Sequence, residues 1–209
     1  MRKELKIISL SEIKTEEVKW LWYPYIPFGK VTIVQGDPGE GKTTFVLSVI
    51  AALTHGETLP ECETGLPPMN VIYQTAEDGL ADTIKPRLEA VGADCSRVQT
   101  INDSQSMLTL TDQRLEEAIR STDAGLLVLD PLQAYLGSGV DMHRASEIRP
   151  IMKKLSAVAE RTGCAVVLIG HMNGLTRSSP YGRRLMRFPA QVSYGASFVS
   201  LVHSLMLLQ

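Results

Sequence analysis

Short apolar, β-branched runs and longer stretches of helical period share most of the chain between Val31 and Gly170. VTIVQ (31–35), VIYQT (71–75), Leu126 to Leu129 and CAVVLIG (164–170) each have the length and β-branched content of a buried strand. FVLSVIAAL, from Phe45, has the apolar density of a buried helix, and RLEEAIR (114–120) is amphipathic. Ile148 to Arg161 carries Ile148, Ile151, Met152, Leu155, Val158 and Ala159 on one face of a 3.6-residue period. A further helix is expected over Leu80 to Val91, with Ile84, Leu88 and Val91 on one face and Pro86 interrupting its middle. A short strand is expected at Val98 to Ile101. His55 to Asn70, rich in Gly and Pro, reads as a surface loop.

The punctuation between these runs carries the chemistry. VTIVQ runs straight into GDPGEGKTT, in which Gly36, Gly41, Lys42 and Thr43 satisfy the phosphate-loop spacing G-x-x-x-x-G-K-[ST]. Glycines allow the backbone to wrap a phosphate closely, and the helix that follows adds the positive end of its dipole. The whole stretch Gly36, Asp37, Pro38, Gly39, Glu40, Gly41, Lys42, Thr43 and Thr44 is therefore expected to cradle the phosphates of ATP. Lys42 would reach the β- and γ-phosphates and the Thr43 hydroxyl would hold Mg²⁺. The run Leu126 to Leu129 ends in Asp130, the second expected magnesium partner. VIYQT ends in Ala76, Glu77 and Asp78; Glu77 is the better placed to polarise an attacking water, whereas Asp78 suits the cap of the next helix. His171 follows the last apolar run, where a polar side chain can sense the γ-phosphate.

Two other stretches invite a choice. WLWYPYIPFGK (20–30), aromatic and holding two prolines, either packs as a lead-in against the sheet edge or stacks in part on the nucleotide base. Asp141, His143 and Glu147 fit a solvated loop near a subunit boundary better than a metal site.

Composition narrows the setting. A chain of 209 residues that is 44 % hydrophobic and 21 % charged is expected to be a soluble globular domain. Its net charge of −2 leaves any nucleic-acid contact to a local patch or an oligomer. Cys62, Cys95 and Cys164 are widely spaced and read as reduced thiols. The first residues form no signal peptide and no apolar run approaches the ~18 residues of a membrane span. A cytoplasmic protein is expected, without membrane contact.

Taken in order, GDPGEGKTT, the TAED of Thr75 to Asp78, the VLDP of Val128 to Pro131 and the VVLIGHMN of Val166 to Asn173 resemble the RecA-like ATPases. Within them the chain looks most like the RepA-type replicative helicases, relatives of the DnaB helicases of plasmids, phages and other mobile elements. The segment DMHRASEIR (141–149) follows that group's layout. The resemblance covers about residues 20 to 173, after an N-terminal segment of residues 1–19. It implies an α/β fold with a mostly parallel sheet and helices on both faces. It also implies an ATPase motor on single-stranded DNA, with Glu77 activating water, Asp130 coordinating magnesium and His171 as sensor. ATP would lie between neighbours in a homo-oligomer, usually a hexameric ring, with an arginine contributed by the neighbour.

The end of the chain departs from the family pattern. Residues 174–209 match it only loosely, with Arg183 and Arg184 as loose arginine-finger candidates and His203 where an arginine is expected. From Met172 to Gln209 there is no Asp or Glu, although the chain holds 23, and the basic residues are Arg177, Arg183, Arg184 and Arg187. This suits either a DNA-facing loop or a truncated or frame-shifted end. Beside the helicase stand two alternatives, a recombinase or loader of the same fold and a nucleotide-binding assembly module with little turnover.

Overall fold

The computed structural model describes residues 7–141 and 144–171, His171 by its backbone. Its elements are β1 (Trp20–Trp22), β2 (Ile26–Pro27), β3 (Val31–Gly36), α1 (Lys42–His55), β4 (Asn70–Thr75), α2 (Lys85–Ala90), β5 (Val98–Gln99), α3 (Gln113–Thr122), β6 (Ala124–Asp130), α4 (Ala145–Thr162) and β7 (Ala165–His171). The four expected long strands are all present. They join β5 in one parallel sheet of order β3-β7-β6-β4-β5.

Side chains alternate across a strand, so each strand feeds two layers. Val71, Tyr73, Leu126, Val128, Val167 and Ile169 point into one core with α1 and α2. Ile72, Leu127, Leu129, Val166 and Leu168 point into the other with Leu115 and Ile119 of α3 and Leu155 and Ala159 of α4. Strands buried on both faces explain why these runs are almost continuously apolar. The fold is an α/β, RecA-like sandwich with helices on both faces of the sheet. Among the described residues no helix is long and apolar enough to cross a membrane.

Several expectations are refined. The helix expected over 80–91 opens as a wide turn, Leu80–Ile84, in which the Ile84 N–H donates to Gly79 O and Lys85 N–H to Leu80 O. Pro86 follows and has no N–H for the Asp82 carbonyl, so the widened turn sits where the ordinary ladder would be broken in any case. The strand expected at Val98–Ile101 stops at Gln99 because the buried Gln74 amide takes over. Its Oε1 accepts Ile101 N–H (2.9 Å) and Thr100 Oγ1 (3.0 Å), and its Nε2 donates to Ile101 O (3.2 Å).

Residues 20–27 form a small antiparallel hairpin of β1 and β2 that packs on the core, in keeping with the packed lead-in of the two expected readings. Trp22 is buried, stacks near Phe45 of α1 (centroids 5.7 Å apart) and donates its Nε1–H to Pro60 O (2.9 Å). The loop between α1 and β4 is accordingly not all surface. Leu59 is buried, with Cys62, Leu66 and Met69 packed on the same core.

Candidate nucleotide-binding site

Parallel strands end together, and in an open α/β sheet the crevice beyond their carboxyl ends is where ligands bind. Here register aligns Gly36 of β3 with His171 of β7, and Thr75 of β4 with Asp130 of β6. The phosphate loop, the β6 carboxylate and the Glu77 turn therefore open on one edge of the sheet.

The loop is held by its own side chains. Lys42, the first residue of α1, is only 4 % exposed and donates from Nζ to Gly36 O (3.0 Å) and Asp37 O (2.7 Å). Burial lowers its pKa, while the carboxylates of Glu40, Asp130 and Asp37 act in the opposite sense and favour the ammonium form. Glu40 folds back so that Oε2 accepts the Asp37 N–H (2.7 Å), and its own N–H donates to Asp37 O (3.3 Å). A Cβ on Gly36 would meet that Glu40 carboxylate, so a larger residue there would displace the Glu40 side chain from the Asp37 N–H. Gly41, at φ +79°, turns the chain into α1 in a conformation that L side chains rarely adopt. Asp37, Pro38, Gly39 and Thr44 are exposed around this cradle. The first-turn N–H groups of α1 lack carbonyl partners within the helix, which suits them to phosphate oxygens.

The two residues expected to hold magnesium are close in space although far apart in sequence. Thr43 Oγ1 donates to Asp130 Oδ2 at 2.9 Å, across 87 positions of chain. A hydroxyl and a carboxylate oxygen beside a phosphate cradle form a hard-oxygen donor set of the kind Mg²⁺ takes, so these residues fit that ion. Asp130 is 7 % exposed. A second donor reaches the same oxygen: Tyr73 Oη–H, 2.8 Å from Asp130 Oδ2. Burial raises the Tyr73 pKa strongly and the neighbouring Asp130 charge adds to it, so the phenol stays protonated and donates. The spacing arguments single out Asp130 and pass over Tyr73. A polar-tipped aromatic inside a run expected to be a buried strand was the available signal.

Glu77 stands apart. It is exposed, two residues beyond Thr75 in the turn after β4. Asp78 is anchored by its N–H to Thr75 Oγ1 (3.2 Å) and by its carboxylate to Arg87 of α2 (3.6 Å). Asp78 thus braces the turn that carries Glu77. His171 reaches the same sheet edge by its backbone position beside Gly36. Arg177, Arg183, Arg184, Arg187 and His203 lie outside the described residues, as does His143. Asp141 and Glu147 are tied to Arg144 by exposed ion pairs. Among the described residues no cluster of three or more His, Cys, Asp or Glu could hold a metal by itself.

Residues 1–175 match the family described as AAA domain. The DNA repair protein RadA of Halalkalibacterium halodurans is 26 % identical over 147 residues, which is 69 % of this chain and 28 % of that protein. RadA of Streptococcus pneumoniae is 25 % identical over 175 residues, 81 % of this chain and 37 % of that protein. The chain thus spans about a third of the length of these curated relatives. A KaiC-like protein from Pyrococcus horikoshii has the same fold, with a TM-score of 0.56 at 17 % identity over 79 % of this chain and 76 % of that one. With a complete phosphate loop on a RecA-like sheet and a family match across most of its length, the chain belongs to the AAA domain family of P-loop ATPases.

Proposed function

We propose that this chain binds Mg²⁺-ATP, hydrolyses it, and uses the cycle to act on single-stranded DNA within a homo-oligomer as a helicase-type motor. The single observation that carries the hydrolytic part is the Lys42–Thr43–Asp130 constellation at one end of the sheet, with Glu77 at the adjoining strand end. Lys42 and the loop N–H groups bind the phosphates and Thr43 with Asp130 holds the ion. When bound, magnesium neutralises charge on the transferred phosphoryl group. Glu77 orients and accepts a proton from the attacking water. His171, beside the loop, reports the γ-phosphate to segments beyond β7.

The DNA-directed part draws its support from the motif order shared with RepA-type helicases. The RadA relatives, named for DNA repair, favour a second reading, in which ATP state controls a recombinase- or loader-type assembly rather than unwinding. A neighbour's arginine, with Arg183 or Arg184 as candidates, would complete the site in either case. Steady-state ATP hydrolysis with and without single-stranded DNA tests the proposal, and strand displacement separates its two forms. DNA-stimulated turnover with displacement is expected. Stimulation without displacement selects the recombinase or loader, and ATP binding without turnover in both conditions contradicts the motor.

A further inference from the structure

Tyr73 lies on β4, two residues before the Thr75 that pairs with Asp130. Two residues is one side-chain repeat of a strand, so Tyr73 and Asp130 face the same side of the sheet as diagonal neighbours, a separation only a long side chain spans. Tyr73 Oη closes it at 2.8 Å. Phenylalanine would fill the same apolar layer, among Val71, Val128 and Val167, without bringing a hydroxyl that must be satisfied. The hydroxyl is satisfied by the carboxylate expected to bind the ion.

We propose that Tyr73 is the positioning residue of the magnesium site: its hydroxyl fixes the rotation of the Asp130 carboxylate so that Asp130 and Thr43 present a preset pair of oxygens to the ion. The inference rests on the assignment of Thr43 and Asp130 to magnesium. Thr43 sits on the phosphate-loop helix and changes its surroundings when nucleotide arrives. Tyr73 sits on β4 between β5 and β6, almost wholly buried and away from the phosphate-loop helix in sequence, so its hold on Asp130 does not depend on that loop's own hydrogen bonds. Loss of such an outer hydrogen bond to a ligating group weakens metal affinity by about 10- to 100-fold in known sites. ATP bound without the metal makes no use of it.

The test is Tyr73→Phe in the full chain, with equilibrium binding of ATP measured in chelator and across a magnesium titration. The ring also lines a cavity of about 410 Å³ with Leu80, Ile84, Leu88 and Val98. Phe preserves that lining, so the variant isolates the hydroxyl. Expected are an ATP affinity in chelator within about twofold of wild type and a magnesium midpoint raised about tenfold. Asp130→Asn and the double variant are measured alongside. If Tyr73 acts through Asp130, Tyr73→Phe adds nothing in the Asp130→Asn background; an undiminished effect there means a merely structural role and overturns the inference. A wild-type magnesium midpoint in Tyr73→Phe, with Asp130→Asn impaired, overturns the Tyr73 proposal alone. A wild-type midpoint in Asp130→Asn overturns the metal assignment and the inference with it.

Discussion

Asp130 ends β6 opposite Thr75 and Glu77 lies two residues past Thr75 on the paired β4, and their surroundings are opposite. Asp130 is buried and takes two hydroxyl donors on one oxygen, one from the phosphate-loop helix and one from β4. Glu77 is exposed, on a turn braced through its neighbour Asp78. The difference separates two tasks. A group that holds an ion must be fixed before the ion arrives, because reorganisation would subtract from affinity. A group that handles a water must meet substrate at an open face, which suits the role proposed for Glu77.

Substitutions at the two carboxylates, and at the phosphate-loop lysine, sharpen or break this contrast. The largest effect is expected from Lys42→Ala, which removes the buried ammonium and should weaken ATP binding by at least about 100-fold. Unchanged affinity in a binding titration would remove the phosphate-loop assignment. Asp130→Asn should keep ATP binding in chelator yet lower magnesium-dependent hydrolysis by roughly two orders of magnitude or more. If both metal dependence and turnover survive, the buried half of the comparison is wrong. Glu77→Gln should leave magnesium and ATP binding intact and cut hydrolysis by roughly two orders of magnitude or more, within the range of general-base contributions. A wild-type rate there would move the water to another group, with Asp78 next to be tested.

The smallest effect belongs to a carboxylate remote from the site. Glu116 of α3 pairs with Arg161 of α4 and with Arg120, and those hydrogen bonds lower its pKa from 4.5 to about 2. A depressed folded-state pKa means that its stabilisation is full above the unfolded value and is lost as pH falls through about 2. Glu116→Ala should therefore lower the thermal midpoint slightly at neutral pH, with the deficit vanishing near pH 2, and leave ATP turnover unchanged. The pair is solvent-exposed, so the effect is small. A large change in turnover would mean that carboxylate loss alone disturbs the fold, and would blur the Asp130 result.

Local signals account for much of this. β4, β6 and β7 were visible because strands buried on both faces must be mostly apolar, and the edge strand β3 together with the phosphate loop because the loop's glycine spacing is dictated by phosphate geometry. Thr43 and Asp130 were legible as a pair only through that motif. What escaped depends on contacts between distant segments. Gln74 ends β5 from another strand, the Pro60 carbonyl receives the Trp22 indole, and Tyr73 becomes meaningful only once β4 and β6 are placed side by side in register. No periodicity along a single segment encodes such pairings.

The most direct test of the central claim is a calorimetric titration of the purified chain with ATP, in magnesium and then in chelator. The account predicts saturable one-site binding in both conditions, tighter with magnesium. No binding in either condition, or binding that magnesium leaves untouched, would contradict a site built from Lys42, Thr43 and Asp130.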